Sequence, residues 1–148
     1  MANAITEKFE ELVLQIEDPD NAGTYLNLCG LIDVEIARSA SVDTAEVPDC
    51  DDESLPLSVE KQVRSVEVSI SASGVWAQTS WGLMSDWFYS SSTQNIRLQN
   101  AKAASGDTEF EAGPALLVNL SNSRTKGQKV TATLEIQFDG TPARTAKA

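Results

Sequence analysis

Apolar and polar residues alternate with a period of two in several separate stretches of the chain, and this pattern limits the fold more than any other feature. The clearest stretches are 65–75 and 130–138, in which nearly every second residue is apolar. Such alternation is typical of strands with one buried and one solvated face. Weaker versions of the pattern predict further strands at 11–17, 25–28, 31–37, 96–98 and 116–120.

One segment breaks this period. Between 77 and 90 the apolar residues recur at a spacing near 3.6, which predicts one helix of about three turns with Thr79 or Ser80 as its N-cap. We expect the aromatic side chains of this segment either to close one end of a β core or to be exposed on the free subunit and buried against a neighbour. The apolar and aromatic positions here are Trp76, Trp81, Leu83, Trp87, Phe88 and Tyr89.

The longest connection between predicted strands runs from Val42 to Glu60. Its length of about 19 residues exceeds that of ordinary connections in compact domains, and such loops are generally functional or disordered. We interpret it as a long inter-strand loop, and residues 141–148 as a flexible C-terminal tail. The sequence as a whole predicts a single mainly β domain over 1–148. Its expected architecture is an antiparallel β-sandwich or partial barrel of about seven strands with one flanking α-helix.

The net charge of −11 belongs to one part of the chain. Residues 1–60 hold 15 acids and two bases, a net −13, whereas residues 61–148 hold seven acids and nine bases, a net +2. The densest acidic run lies in the predicted loop and consists of Asp43, Glu46, Asp49, Asp51, Asp52 and Glu53. Its candidate basic counterpart in the second half is Lys61, Arg64, Arg124, Lys126 and Lys129.

No histidine occurs in the chain, which excludes Ser-His-Asp and Cys-His nucleophilic sites and HExxH zinc sites. The acidic run lacks the glycine and the spaced glutamate of an EF-hand loop, so a solvated or partner-facing loop is favoured over a Ca²⁺ site. Cys29 and Cys50 are too few for a disulfide scaffold, and the pattern does not decide whether they are bridged. We expect no catalytic residues, no cofactor and no metal.

No stretch reaches the ~20 apolar residues of a membrane span. The first residues also lack the apolar core of a signal peptide. The sequence therefore predicts a soluble protein that works in the compartment where it is made.

The predicted strands 31–37 and 65–75 each have one polar face. These faces hold small or acidic side chains and no lysine or arginine; the candidate residues are Asp33, Glu35, Glu67, Ser69 and Ser71. A solvent-exposed face of a β-sheet is the ordinary explanation of such a pattern. Because duplex DNA is held mainly by basic residues on its phosphates, the same composition also suits a surface that DNA slides past.

The order of these elements resembles that of the major tail tube proteins of long-tailed, non-contractile phages and related gene transfer agents. The resemblance covers most of residues 9–140, from the short hairpin to the Phe-Asp-Gly turn after the last strand. Its most specific pieces are Cys29-Gly30-Leu31, Val47-Pro48-Asp49-Cys50-Asp51 and Ser73-Gly74-Val75. None of these is a catalytic signature.

The resemblance implies a virion structural protein whose hexameric rings stack into a hollow tube that conducts double-stranded DNA. In that family four strands per subunit join into an inner barrel of 24 strands, and the long loop contacts the adjacent ring. Residues 42–60 then become a ring-stacking loop. The polar strand faces become either the lumen, which we favour, or the exterior of the tube. The implied partners are other copies of the chain, the tape measure protein, the tail terminator and the baseplate or tip proteins. The protein would be assembled in the bacterial host cytoplasm and located in the virion tail, with no membrane contact and no specific DNA binding.

Two other hypotheses remain open from the sequence. One is a monomeric β-sandwich binding module of adhesin or carbohydrate-binding type, with Trp76, Trp81 or Tyr89 as its platform. The other is a different tail component of the same fold, such as a tail terminator. An enzyme is the least supported class.

Overall fold

The computed structural model of the chain describes residues 3, 4, 6, 8, 11–28 and 30–148, with only the backbone of residues 79 and 81. Within these residues there are eight strands and one helix. The strands are β1 (Leu12–Glu17), β2 (Tyr25–Asn27), β3 (Leu31–Val47), β4 (Ser58–Val75), β5 (Gln94–Asn100), β6 (Thr108–Ser123), β7 (Thr131–Phe138) and β8 (Ala143–Ala146). The helix is α1 (Gln78–Ser90).

All eight strands belong to one antiparallel sheet, which is not closed. The order is β2-β1-β5-β6-β7-β4-β3, and β8 pairs with β6 beside this path. The sheet curls so that its two halves share one core, because buried residues of β1 and β5 pack in the same cluster as those of β4 and β7. Fully buried members of this cluster are Ile16, Ile70, Ile96 and Ile136. The prediction of a mainly β, antiparallel fold with one helix is confirmed, with eight strands rather than about seven.

The additional strand corrects the prediction of a flexible C-terminal tail. Residues Ala143–Ala146 form β8, which pairs with the first half of β6 from Thr108 to Ala112. The Arg144 guanidinium donates from Nε and Nη2 to Thr108 Oγ1 at 3.2 and 2.9 Å. All four residues of β8 are exposed, so no apolar alternation marks this strand in the sequence.

The helix covers the core from one side. Met84 and Trp87 are buried in the core cluster, and the Trp87 indole donates to the Ser92 carbonyl at 3.0 Å. The predicted range is confirmed, but the predicted N-cap is wrong. Ala77 is the N-cap, and no side chain caps the helix. The reason is that the chain turns into the helix directly after β4, where the Trp76 N–H is held by the Val130 carbonyl.

The predicted long loop is mostly a β-hairpin. β3 and β4 stay paired from Leu31–Gly74 to Val47–Ser58, so the irregular connection is only 48–57 rather than 42–60. The outer part, residues 42–63, extends beyond the core, and we call it the arm. Both of its faces are largely solvent-exposed. A strand with no buried face carries no apolar alternation, which is why the sequence indicated a loop here.

A bulge at the base of the arm decides which way its side chains point. Ser41 pairs with Ser65 and Val42 with Val63, so Arg64 is the extra residue in β4. Because directly paired residues share a face, the bulge turns Val63 to the same side as Val66. Without the extra residue, the period of two would place Val63 on the opposite face.

Two glycines join the ends of β3 and β4. Gly30 has a positive φ of 88°, and its carbonyl accepts a hydrogen bond from the Val75 N–H at 2.8 Å. A Cβ on Gly74 would lie 2.7 Å from the Ile32 nitrogen and 2.8 Å from the Leu31 Cα. Two of the motifs that carry the sequence resemblance therefore meet in one backbone contact. Cys29, in the first of these motifs, lies outside the described residues.

Candidate functional site

Strands β3, β4, β7 and the second half of β6 form a four-stranded stretch with a polar outer face. Residues paired across neighbouring strands share a face, and the pairings place polar residues in rows across all four strands. One row is Glu35, Ser71, Glu135 and Asn119, and the next is Asp33, Ser73, Thr133 and Ser121. We call this surface the polar face: the odd-numbered residues of 33–41, 65–73, 119–123 and 131–137, with Leu116. It brings together all five predicted residues, Asp33, Glu35, Glu67, Ser69 and Ser71.

The polar face is acidic and rich in hydroxyl groups. Its charged residues are four carboxylates, those of Asp33, Glu35, Glu67 and Glu135, and no lysine or arginine lies among the described residues that form it. Ser123 and Thr131 join their hydroxyls across β6 and β7 at 2.8 Å. A surface of this composition repels polyanions and offers no cation to hold a phosphate group.

The contribution of β6 to this face was missed in the sequence. The sequence predicts a strand over 116–120 only, whereas β6 runs from Thr108 to Ser123. A register shift between Leu117 and Asn119 leaves Val118 as an extra residue and interrupts the period of two. Once this bulge is known, the alternation of Asn119, Ser121 and Ser123 is the sequence signal that these residues belong to the polar face.

The four-stranded stretch has two unpaired edges in the described part of the chain. β3 pairs with β4 on one side only. In β6, residues 116–123 pair with β7 on one side only, because β5 and β8 pair with the part of β6 before residue 116. Each edge exposes an apolar side chain at a register shift: Ile32 is 57% exposed and Val118 is 47% exposed. Long unpaired edges are templates for pairing with another chain.

The acidic tip of the arm is ordered by its own carboxylates. Asp49 Oδ1 accepts from the backbone N–H groups of Asp51 and Asp52 at 2.8 and 3.0 Å. Asp52 Oδ1 accepts from the Ser54 N–H and hydroxyl at 3.0 and 2.6 Å. These hydrogen bonds lower the pKa of Asp49 and of Asp52, so both are ionised at neutral pH. Their ordering effect is complete above the ordinary carboxyl pKa and is lost as the pH falls through the lowered values.

The candidate basic residues separate into two groups. Lys61 lies on the arm itself, opposite Thr44, and Arg64 is the bulge at its base. The other three, Arg124, Lys126 and Lys129, are exposed in the turn between β6 and β7, which we call the basic turn. Because β7 pairs with β4 from Ser69 to Val75, this turn lies at the end of the sheet opposite the arm. The domain therefore has an acidic end and a basic end.

An open aromatic groove lies between α1 and the unpaired edge of β6. Trp87 is buried in the core, whereas Tyr89 is 83% exposed and Phe88 is 38% exposed. The side chain of Trp81 lies outside the described residues. The groove is lined by Trp76, Gln78, Gly82, Ser85, Phe88, Tyr89, Leu120 and Asn122.

The described residues show no cluster of His, Cys, Asp and Glu side chains with the geometry of a metal site. Cys50 is exposed at the arm tip as a free thiol. The helix in the described part of the chain is not long and apolar enough to cross a membrane.

Comparison with known proteins gives a consistent result. The family model described as "Phage tail tube protein" matches residues 6–144. No curated protein sequence matches the chain. Among solved structures, the chain is similar to one from the tail of an empty gene transfer agent particle refined with C6 symmetry, with a TM-score of 0.73, 15% identity, and coverage of 95% of this chain and 100% of that one.

Two further structures have the same fold. A chain in the virion of a native gene transfer agent particle gives a TM-score of 0.70 at 16% identity, covering 95% of this chain and 100% of that one. The SPP1 tail tube structure gives a TM-score of 0.67 at 10% identity, covering 93% and 78%. Since the family model spans nearly the whole domain, including the polar face and the arm, the chain belongs to the phage tail tube protein family.

Proposed function

We propose that six copies of this chain form a ring, and that the rings stack into the hollow tail tube that conducts double-stranded DNA from the capsid to the host cell. Family membership makes the chain a structural component of the virion tail. The observation that carries the ring is the four-stranded stretch with a polar face and two unpaired edges. The C6 symmetry of the gene transfer agent tail supports the number six.

Strand direction allows the two edges to join between copies. β3 is antiparallel to β4, β4 to β7 and β7 to β6, so β6 of one copy and β3 of the next also run in opposite directions. Six copies then give a continuous barrel of 24 strands. With strands ~4.8 Å apart and tilted by ~40°, its backbone diameter is roughly 50 Å. Ring closure also removes both unpaired edges.

The polar face lines the lumen in this arrangement. The opposite face of the same strands is buried in the core, so the polar face is the one that remains for the inside of the barrel. Its carboxylates and hydroxyls repel the phosphate backbone and keep the genome from adhering during ejection.

The charged ends of the domain support head-to-tail stacking of the rings. The acidic tip of the arm, with Asp51 and Glu53, lies at one end of the sheet, and the basic turn lies at the other. In a head-to-tail stack the arm of one ring meets the basic turn of the next. Opposite charges on two ends of one molecule favour this orientation over head-to-head contact.

Electron microscopy of the purified protein tests the proposal directly. We expect rings and hollow tubes with a sixfold repeat. A monodisperse monomer of about 16 kDa that persists at high concentration would contradict it.

The remaining proposed partners are the tape measure protein inside the tube and the terminator and tip proteins at its two ends. Assembly in the host cytoplasm is part of the same proposal.

Lysine at the β6 edge is expected to block ring closure. Val118 is exposed at this edge, and an edge lysine prevents strand addition by placing a charge where the neighbouring strand packs. Val118→Lys should give a folded monomer with unchanged circular dichroism and no rings in analytical ultracentrifugation. Ser105→Lys, in the exposed turn before β6, adds the same charge away from both edges. If Val118→Lys formed rings as well as this control does, β6 would not be the strand that joins neighbouring copies.

Charge reversal at the arm tip is expected to weaken stacking without affecting rings. Asp51→Lys with Glu53→Lys leaves the turn acceptors Asp49 and Asp52 in place. Surface ion pairs contribute ~0.2–1 kcal/mol each, so we expect the critical concentration for tube growth to rise roughly tenfold.

Light scattering measures this change, and the reverse change in the basic turn, Arg124→Glu with Lys126→Glu, should restore growth when both are combined. Added salt should weaken tube growth of the unmodified chain as well. Tube growth that responds to neither salt nor charge reversal would exclude an electrostatic role for the arm.

A further inference from the structure

We infer that the apolar side of the arm docks into the aromatic groove of a copy in the adjacent ring. This inference rests on the proposed function, because it needs rings stacked head to tail. It identifies the surface that receives the arm, and the charges of the two ends alone do not specify that surface.

The arm carries exposed valines, which we call the apolar row, on the side of the sheet that faces the core further along β3 and β4. They share this side with Thr44, Lys61 and Glu46. Val42 pairs with Val63, and Val59 lies on the same side opposite Glu46. Val66, at the base, completes the row toward the core. These four valines are 45–57% exposed, and Leu55 and Leu57 in the tip are 48% and 50% exposed. Several exposed valine and leucine side chains on one hairpin are typical of an interaction site.

The bulge at Arg64 places the valines of the row on one side of the arm. It turns Val63 and Val59 to the side of Val66, so that the polar face and the apolar row continue on opposite sides of the arm. The polar side of the arm holds Asp43, Gln62 and Glu60. In the tube this side continues the lumen wall, and the apolar row is left turned away from the DNA.

The aromatic groove lies where an arm from the adjacent ring arrives. Leu120 and Asn122 pair with Leu134 and Ala132, at the end of β6 next to the basic turn. The six residue pairs of the arm, from Val42–Val63 to Val47–Ser58, reach roughly 20 Å beyond the base. Head-to-tail stacking therefore brings the arm to the end of the receiving copy that holds both the basic turn and the groove.

Chemistry and charge also match. The row presents β-branched and leucine side chains, and the groove presents Phe88 and Tyr89, which contact each other edge to face at 5.5 Å between ring centroids. Lys61 lies on the apolar side between Val59 and Val63. Asp86, the single charged residue of α1, is exposed and follows Ser85 of the groove lining. The helix that borders the groove therefore holds one carboxylate and no cation.

Cross-linking between two differently labelled chains tests this contact. One chain carries Val59→Cys and the other Gly82→Cys, both in a Cys50→Ser background, and the two are assembled together and oxidised. Gly82 has no atom within 4 Å of an added Cβ, and Val59 is exposed, so neither change disturbs the core. The matched control is Glu60→Cys, one residue along but on the polar side of the arm.

We expect a disulfide between residues 59 and 82 in sedimented tubes, and at least tenfold less between 60 and 82. Gly82→Trp fills the groove and should give rings that do not elongate, whereas Ser105→Trp, in the exposed turn before β6, should elongate normally. Tubes in which 59 and 60 cross-link equally, or neither does, would overturn the inference and leave the proposed function intact. Failure of the unmodified chain to form rings or tubes would overturn the proposed function, and the inference with it.

Discussion

Gly74→Ala is expected to destabilise the protein by about 3 kcal/mol or more. The added Cβ would overlap the backbone of Gly30, Leu31 and Ile32. Backbone atoms cannot move aside as a flexible side chain does, so β3 and β4 would have to separate at their junction. The same junction positions the polar face and the start of α1, and tube formation should be lost together with stability.

Thermal and urea unfolding followed by circular dichroism measure this loss. The matched control is Gly82→Ala, where the added Cβ meets no atom within 4 Å. Gly82 is inside α1, and alanine there should stabilise the protein by roughly 0.5–1 kcal/mol because it restricts the unfolded chain. Equal stability of Gly74→Ala and the unmodified protein would mean that the glycine contact does not constrain the fold.

Lysines on the polar face are expected to make the proposed tube bind the DNA that passes through it. Glu35→Lys with Glu67→Lys places two cations per copy, twelve per ring, on the proposed lumen. Both residues are exposed, so the monomer should fold and rings should form. For 6–10 phosphate contacts, DNA affinity should fall by about 10³–10⁵ between 50 and 200 mM salt. DNA should stall in the tube, and infectivity should fall by several orders of magnitude.

Retention of short duplex DNA by sedimented tubes at several salt concentrations measures the first effect, and plaque counts measure the second. Glu35→Gln with Glu67→Gln is the matched control, because it removes the repulsion without adding attraction and should leave infectivity nearly normal. If the lysine tubes hold no more DNA than the glutamine tubes, the polar face is not the lumen.

Strands with one buried face could be predicted from the sequence, and strands without one could not. The alternation of 65–75 and 130–138 reflects Ile70 and Ile136, which are completely buried in the core. The arm and β8 have no such face, so their pairing depends on register with a neighbouring strand and leaves no apolar period. Backbone pairing, not composition, makes the segment 42–47 a strand.

The candidate site was predictable in its composition and not in its arrangement. The odd-numbered residues of β3 and β4 could be assigned to one face from parity alone. The bulges at Val118 and Arg64 shift that parity, and a shift of one residue moves every later side chain to the other face. Lys61 lies on the arm and Arg64 at its base, away from the basic turn, because β3 pairs with β4 along 42–63, and that pairing leaves no signal in the sequence.

In the proposed tube the arm also sets a direction. Because each copy carries its arm at one end and its basic turn at the other, the proposed head-to-tail stack would present six projecting hairpins at one terminus and six empty receiving surfaces at the opposite one. Growth at these termini involves different chemistry, so the two ends of a polymer need two different capping proteins. A single cap that covers either the hairpins or the receiving surfaces is then enough to stop elongation at that end and leave the other end free.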